Sequence, residues 1–366
     1  MYDGDPDDGD LAELFREFAR AAGHRAPLYR RLSEGIADDP ATARLLLHAP
    51  ADQRLPVLLY ACVHWILLRE PHHELRRWYP NLAPDHAGSD QGDPYPAFRG
   101  FCAHNESRLA DLLATRSTQT NEVGRCALFL PMLAEVAVDH GPLAVLDVGA
   151  SAGLNLLLDR YHYRYVPDDG RHPPITVGQP APVELVCGTR GQVPVPNEMP
   201  TIADRIGLDR APIDPTDPDA AAWLQACVWP DQADRFERLG TALAMAAEHP
   251  PPVVTGDAVA DLAATVDRLD PDAHLVVTDS WALNYLAASE RLAFLDALDR
   301  LGATRDLSWC AVESPAITPE LPWADEPAEP AEPELTHLLR ADWHAGRRTV
   351  SHLGTAHPHG YWLHWR

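Results

Sequence analysis

Val145-Leu146-Asp147-Val148-Gly149-Ala150-Ser151-Ala152-Gly153-Leu154-Asn155 is the stretch on which the reading of this chain turns. The run Leu143 to Val148 is short, apolar and partly β-branched, and it closes on a glycine. That is how a buried parallel strand reads. A turn of small residues follows, and the pattern from Gly153 to Tyr161 predicts a helix. Small residues let a backbone approach a ligand closely, and N–H groups at a helix start point into the same space. A ligand is therefore expected at the carboxyl end of this strand, as at the switch point of a doubly wound sheet.

On the carboxyl side, apolar runs at 204–208, 252–255, 274–278 and 308–312 predict further strands. Helical patterns at 219–248, 258–268, 284–301 and 334–341 separate or follow them. Alternating strands and helices predict an α/β, doubly wound, mostly parallel sheet. The runs 348–353 and 360–365, joined through Gly354 to Gly360, predict a C-terminal antiparallel hairpin. The Pro- and Gly-rich segment 162–200 reads as an insertion, and 319–333 as an acidic low-complexity loop.

No strand-like alternation precedes residue 143. Leu11, Leu14, Phe15, Phe18, Ala19 and Ala22 follow helical spacing, and more helices are expected at 28–36, 41–48, 55–69, 105–115 and 122–139. Residues 80–97 read as a loop. The expected organisation is a disordered tail at 1–10, an all-helical cap at 11–140 and the Rossmann-like domain at 141–366.

The chain has 366 residues, 54 acidic against 30 basic, and a net charge of −24. Such a surface repels phosphate backbones and anionic lipid, so nucleic acid and membrane are not expected partners and a small-molecule substrate is. Six cysteines include no C-x-x-C pair, so neither zinc nor a redox motif is signalled. The acidic N-terminus does not read as a secretory signal. The longest apolar run, Val57 to Leu68, is broken by His64 and falls short of the roughly 20 residues that cross a bilayer. A cytoplasmic protein is expected, with a Pro- and Ala-rich composition that looks actinobacterial.

The opening string resembles motif I of class I S-adenosylmethionine-dependent methyltransferases, D/E-x-G-x-G-x-G: Asp147, Gly149 and Gly153 match, and Ser151 replaces the middle glycine. The resemblance implies that Asp147 orients the turn or the methionine amino group. It also implies that Gly149, Ala150, Ser151, Gly153 and Asn155 lie along the cofactor. Asp209, with Asp214 as second choice, would accept the ribose hydroxyls, and Asp257 with the Ala258 N–H would hold adenine. Asp279 would orient or deprotonate the acceptor, Trp281 would wall the sulfonium, and Tyr285 completes the catalytic candidates. The polar segment Thr118 to Arg125 offers Asn121 and Glu122 to the cofactor. Each acid also has a plainer reading as a turn or helix cap. His352, His357 and His359 match no helical metal spacing, so no metal is expected.

A rival reading takes Gly149-Ala150-Ser151-Ala152-Gly153 as the G-x-S-x-G elbow of a serine hydrolase, with Asp257 or Asp279 and a C-terminal histidine downstream. Against it, an elbow normally follows several strands. A third reading is a non-catalytic S-adenosylmethionine- or nucleotide-binding module. The strings T-Q-T-N-E-V-G-R, V-L-D-V-G-A-S-A-G-L-N, G-L-D-R-A-P-I-D, A-C-V-W-P-D-Q and T-G-D-A-V together resemble an uncharacterised actinobacterial family known only as a domain of unknown function, from about residue 11 onward. The expected activity is methyl transfer to a small molecule.

Overall fold

The computed structural model describes residues 6–84, 92–323 and 335–366. The chain divides into two compact units, one of Met1–Thr120 with Asp217–Gly240, the other of Asn121–Thr216 with Thr241–Arg366. Residues 1–5 of the expected tail, 85–91 of the expected loop at 80–97, and 324–333 of the expected acidic loop lie outside the described residues.

The first unit is helical. Asp8–Ala22 (α1) opens on a reciprocal cap: the Asp7 carboxylate accepts from the Asp10 N–H at 2.9 Å, and Asp10 accepts from that of Asp7 at 3.1 Å. The expected tail is thus too long, because acids that look disordered in sequence satisfy the free N–H groups of a helix start. Leu11, Phe15, Ala19 and Ala22 form its buried face. Pro27–Ala37 (α2), Pro40–Ala43 (α3) and Pro56–Arg69 (α4) each begin on proline, whose missing N–H costs nothing there. Tyr95–His104 (α5) starts inside the stretch expected to be loop, and Glu106–Thr115 (α6) follows. Pro218–Ala226 (α8) contributes Trp223 to the same core, and the Trp223 Nε1–H donates to the Ser117 carbonyl at 3.0 Å.

The second unit holds Cys126–His140 (α7), with Pro131 in its middle, and a mixed sheet of eleven strands among the described residues. Five strands form a parallel block. Leu143–Val148 (β1) pairs with Ile202–Asp209 (β5) on one side and His274–Ser280 (β7) on the other. Val253–Thr255 (β6) extends β5, and Leu307–Glu313 (β8) extends β7. The spatial order is therefore β6-β5-β1-β7-β8. β1 and β8 are buried along their whole length, as strands covered on both faces are. Leu262–Val266 (α10) and Ala288–Gly302 (α11) pack Leu262, Val266, Phe294 and Leu298 into the core around these strands.

Beyond β8 the pairing turns antiparallel through Thr336–His344 (β9), Arg347–Ala356 (β10) and Trp362–Trp365 (β11). The helix expected at 334–341 is a correction: those residues form β9, because a partner on each side outweighs the helical preference of Leu338, Leu339, Arg340 and Ala341. The 162–200 segment is part of the same sheet. Its strands His162–Pro167 (β2), Ile175–Val177 (β3) and Glu184–Arg190 (β4) join it through β4 alongside β11. The helix expected after the opening string is a 3₁₀ turn, Leu154–Arg160. The 219–248 stretch is two helices, α8 and Ala233–Glu248 (α9).

Candidate functional site

The carboxyl ends of β1, β5 and β7 gather most of the expected residues. β1 leaves the sheet through Gly149 at φ +74°, Ser151 at +53° and Gly153 at +71°. A Cβ at Gly149 would strike that of Ala282, and one at Gly153 would lie 2.6 Å from Pro251 Cγ, so both positions need glycine on two counts. Gly149 is exposed, whereas Asp147, Ala150, Ser151 and Asn155 are buried. The Ser151 N–H donates to Asp209 Oδ2 at 2.8 Å, and the Leu154 N–H donates to Asn121 Oδ1 at 3.1 Å. Asn155 Oδ1 accepts from the Cys126 thiol at 3.4 Å. Asn121 and Asp209 therefore shape the turn through its backbone.

Asp147 is 2 % exposed. Its Oδ1 accepts from the Thr278 hydroxyl at 2.8 Å, and its Oδ2 has no hydrogen-bond partner among the described residues. Burial pushes its carboxyl up to about 7, against the pull of the Thr278 hydrogen bond. A half-satisfied buried carboxyl at a strand end is costly, and such groups concentrate where a ligand completes them.

The other acids are more fully engaged. Asp209 also accepts the Ala211 N–H at 2.8 Å, and Asp214 caps its own turn through the Thr216 N–H and hydroxyl. Asp257 Oδ1 takes the N–H groups of Val259 and Ala260, both at 2.9 Å, and its Oδ2 takes two bonds from Arg210, at 3.1 and 2.8 Å. These contacts, the Ala260 N–H foremost, hold its carboxyl down at about 2. Arg210 also meets Glu290 at 2.9 Å. Asp257 thus acts as a turn cap with an ion pair, and all of its roughly four acceptor positions are filled. Ala258, beside it, packs against the core.

Asp279 needs the largest correction. It is 0 % exposed and accepts from the Trp309 indole, so it does not face an acceptor from which to take a proton. Its Oδ1 has no hydrogen-bond partner among the described residues, and neither has the Oε2 of Glu313, also 0 % exposed, whose Oε1 accepts the N–H groups of Ala282 at 2.7 Å and Leu283 at 3.0 Å. Burial raises both carboxyls above the usual carboxylate range, and for Asp279 the neighbouring Glu313 charge adds to it. Next in the chain, Trp281 adopts φ +52°, an outlier for so bulky a residue, and its indole donates to Thr336 Oγ1 at 2.8 Å. Tyr285 is 69 % exposed at the end of a 3₁₀ turn.

Glu122 is buried. Its Oε1 accepts the Gly124 N–H at 2.9 Å, and its Oε2 lies 3.5 Å from His359 Nδ1. Arg125 donates to the carbonyls of Pro358 and Ser280, each at 2.9 Å, and its charge acts on Asp147 and Glu313. Sequence reasoning missed Glu313 and the contact of the half-buried His359 with Glu122. Glu313 carries the same signal as Asp147 and Asp279, an acid ending an apolar run, and was readable on that ground. The Glu122–His359 contact joins residues too far apart for spacing to reveal.

One family model matches residues 12–365. The chain belongs to the DUF2332 family of uncharacterized proteins conserved in bacteria. No functionally curated protein matches the sequence.

Proposed function

We propose that the second unit is a class I methyltransferase-like domain that binds S-adenosylmethionine across the carboxyl ends of β1, β5 and β7, and that the chain transfers its methyl group to a small molecule. The observation that carries this reading is the buried Asp147 Oδ2, which lacks a partner beside an exposed glycine turn. An ammonium donor such as the methionine amino group fits it, since it would supply both the hydrogen bond and the charge. The parallel order β6-β5-β1-β7-β8 supports the same reading: it is the 3-2-1-4-5 order of doubly wound sheets, with its switch between β1 and β7.

Asp209 fits the ribose role. The Ser151 and Ala211 bonds use two of its roughly four acceptor positions, leaving room for two hydroxyls. Asp257 fits the adenine role least, because Arg210 occupies it. The bound cofactor would supply an activated methyl on a sulfonium. The residues of this chain would do the positioning: Asp147 and Asp209 anchor, the Gly149–Gly153 backbone lines the cleft, and Trp281 forms a wall. Rate would come from holding an acceptor atom in line at contact distance.

The test is isothermal titration calorimetry of wild type and Asp147→Ala with S-adenosylmethionine and S-adenosylhomocysteine, followed by mass-spectrometric detection of methylated products. Binding by wild type and its loss in the variant supports the proposal. A folded wild type that binds neither compound overturns it. A second reading, the serine hydrolase, draws on Ser151 at φ +53° directly after a strand. It weighs less because no strand precedes β1 among the described residues. Labelling of Ser151 by a fluorophosphonate would establish it.

A further inference from the structure

We propose that Glu313, at the end of β8, is the positioning residue that holds the β7 loop against the Gly149 turn and so sets the shape of the cleft between them; this rests on the binding reading above. Three observations converge on it. The Glu313 carboxyl accepts two consecutive backbone N–H groups, those of Ala282 and Leu283. Ala282 is the residue that meets Gly149 where a Cβ would stand, so the loop fixed by Glu313 is the one that forms the opposite wall. Immediately before these two residues stands Trp281 in left-handed backbone, its N–H on the Val312 carbonyl at 3.1 Å and its indole on Thr336. A bulky residue persists in that conformation only where its surroundings over-determine it.

Asp279 is buried with one oxygen on the Trp309 indole, and it and Glu313 each keep one oxygen without a hydrogen-bond partner among the described residues. Neither acid reaches solvent, so each acts on a bound molecule only through the backbone it holds.

The experiment compares wild type, Glu313→Gln and Glu313→Ala by hydrogen–deuterium exchange over residues 279–288 and by S-adenosylhomocysteine titration. Glutamine keeps an oxygen for both N–H groups, whereas alanine does not. Glu313→Gln is expected to preserve slow exchange in this segment and to bind within about threefold of wild type. Glu313→Ala should speed exchange there while the other strands stay protected, and should weaken binding by at least about tenfold. Unchanged exchange in Glu313→Ala overturns the proposal, as does unchanged affinity. If the alanine variant does not fold, wild type and Glu313→Gln decide: amides of 282 and 283 exchanging as fast as an open loop in either overturn it. Exchange needs no ligand, so failure of wild type to bind S-adenosylhomocysteine would sink the binding reading and leave the staple judged on its own.

Discussion

Asp147→Asn should make the protein more stable at neutral pH while abolishing its ligand binding. The carboxyl is 2 % exposed and titrates at about 7 in the fold, against an ordinary value of 3.8. A folded-state value above the unfolded one means stability is fully present below 3.8 and is lost as pH rises through about 7. In that window the unfolded chain has released a proton that the folded chain retains. Each tenfold difference in proton affinity between the two states is worth about 1.4 kcal/mol, so the loss reaches about 4 kcal/mol above pH 7. Asparagine has the same shape, keeps an oxygen for the Thr278 hydroxyl and cannot ionise. The variant and wild type should therefore match near pH 4 and diverge by about 1.4 kcal/mol per pH unit up to about pH 7. Urea denaturation at pH 4.5, 6 and 7.5 reads this directly, with S-adenosylhomocysteine titration on the same samples. An Asp147→Asn protein that is less stable than wild type at pH 7.5, or that follows the same pH slope, would refute the reasoning. It would show the carboxyl to be satisfied by charge within the fold.

Other outcomes follow from the same geometry. Asp257→Asn should leave S-adenosylhomocysteine affinity within about threefold, because Arg210 and two backbone N–H groups already fill that carboxylate; a large loss in calorimetry would restore the adenine role. Gly153→Val should lower stability by several kcal/mol in urea melts, since the position combines φ +71° with Pro251 and Val253 at its Cβ; a variant as stable as wild type would contradict this crowding. Ser151→Ala should retain ligand binding, and wild type should show no fluorophosphonate adduct at Ser151 by mass spectrometry; an adduct would favour the hydrolase.

The parallel core was legible because its strands are buried on both faces and so appear as unbroken apolar runs. Leu143–Val148 and Leu307–Glu313 are the clearest cases. β9 was not legible, since Leu338, Leu339, Arg340 and Ala341 are good helix formers and only pairing with β8 and β10 makes them a strand. The tail was misjudged for a related reason: Asp7 and Asp10 look like solvated charge until their reciprocal cap is seen. At the candidate site, residue type alone does not separate a buried acid with a bare oxygen from one whose acceptor positions are filled. Asp147 and Asp257 end similar runs, yet one has a bare oxygen and the other four partners. Asp279 had the sequence signature of an exposed base and proved to be sealed, because Trp309 and Glu313, both on β8, close over it.

The strand Trp362–Trp365 sits between β4 and β10, partners far apart along the chain, and meets β4 over Trp362 to His364. Among the described residues it is the one ladder tying the β2–β3–β4 ribbon to the rest of the sheet. Until those few residues arrive, the ribbon has an open edge and nowhere to dock, which is the state in which chains pair with the wrong neighbour. Assembly of this unit should accordingly wait on a late, long-range closure, and slow refolding should respond to changes at Leu363 more than to changes in the parallel block.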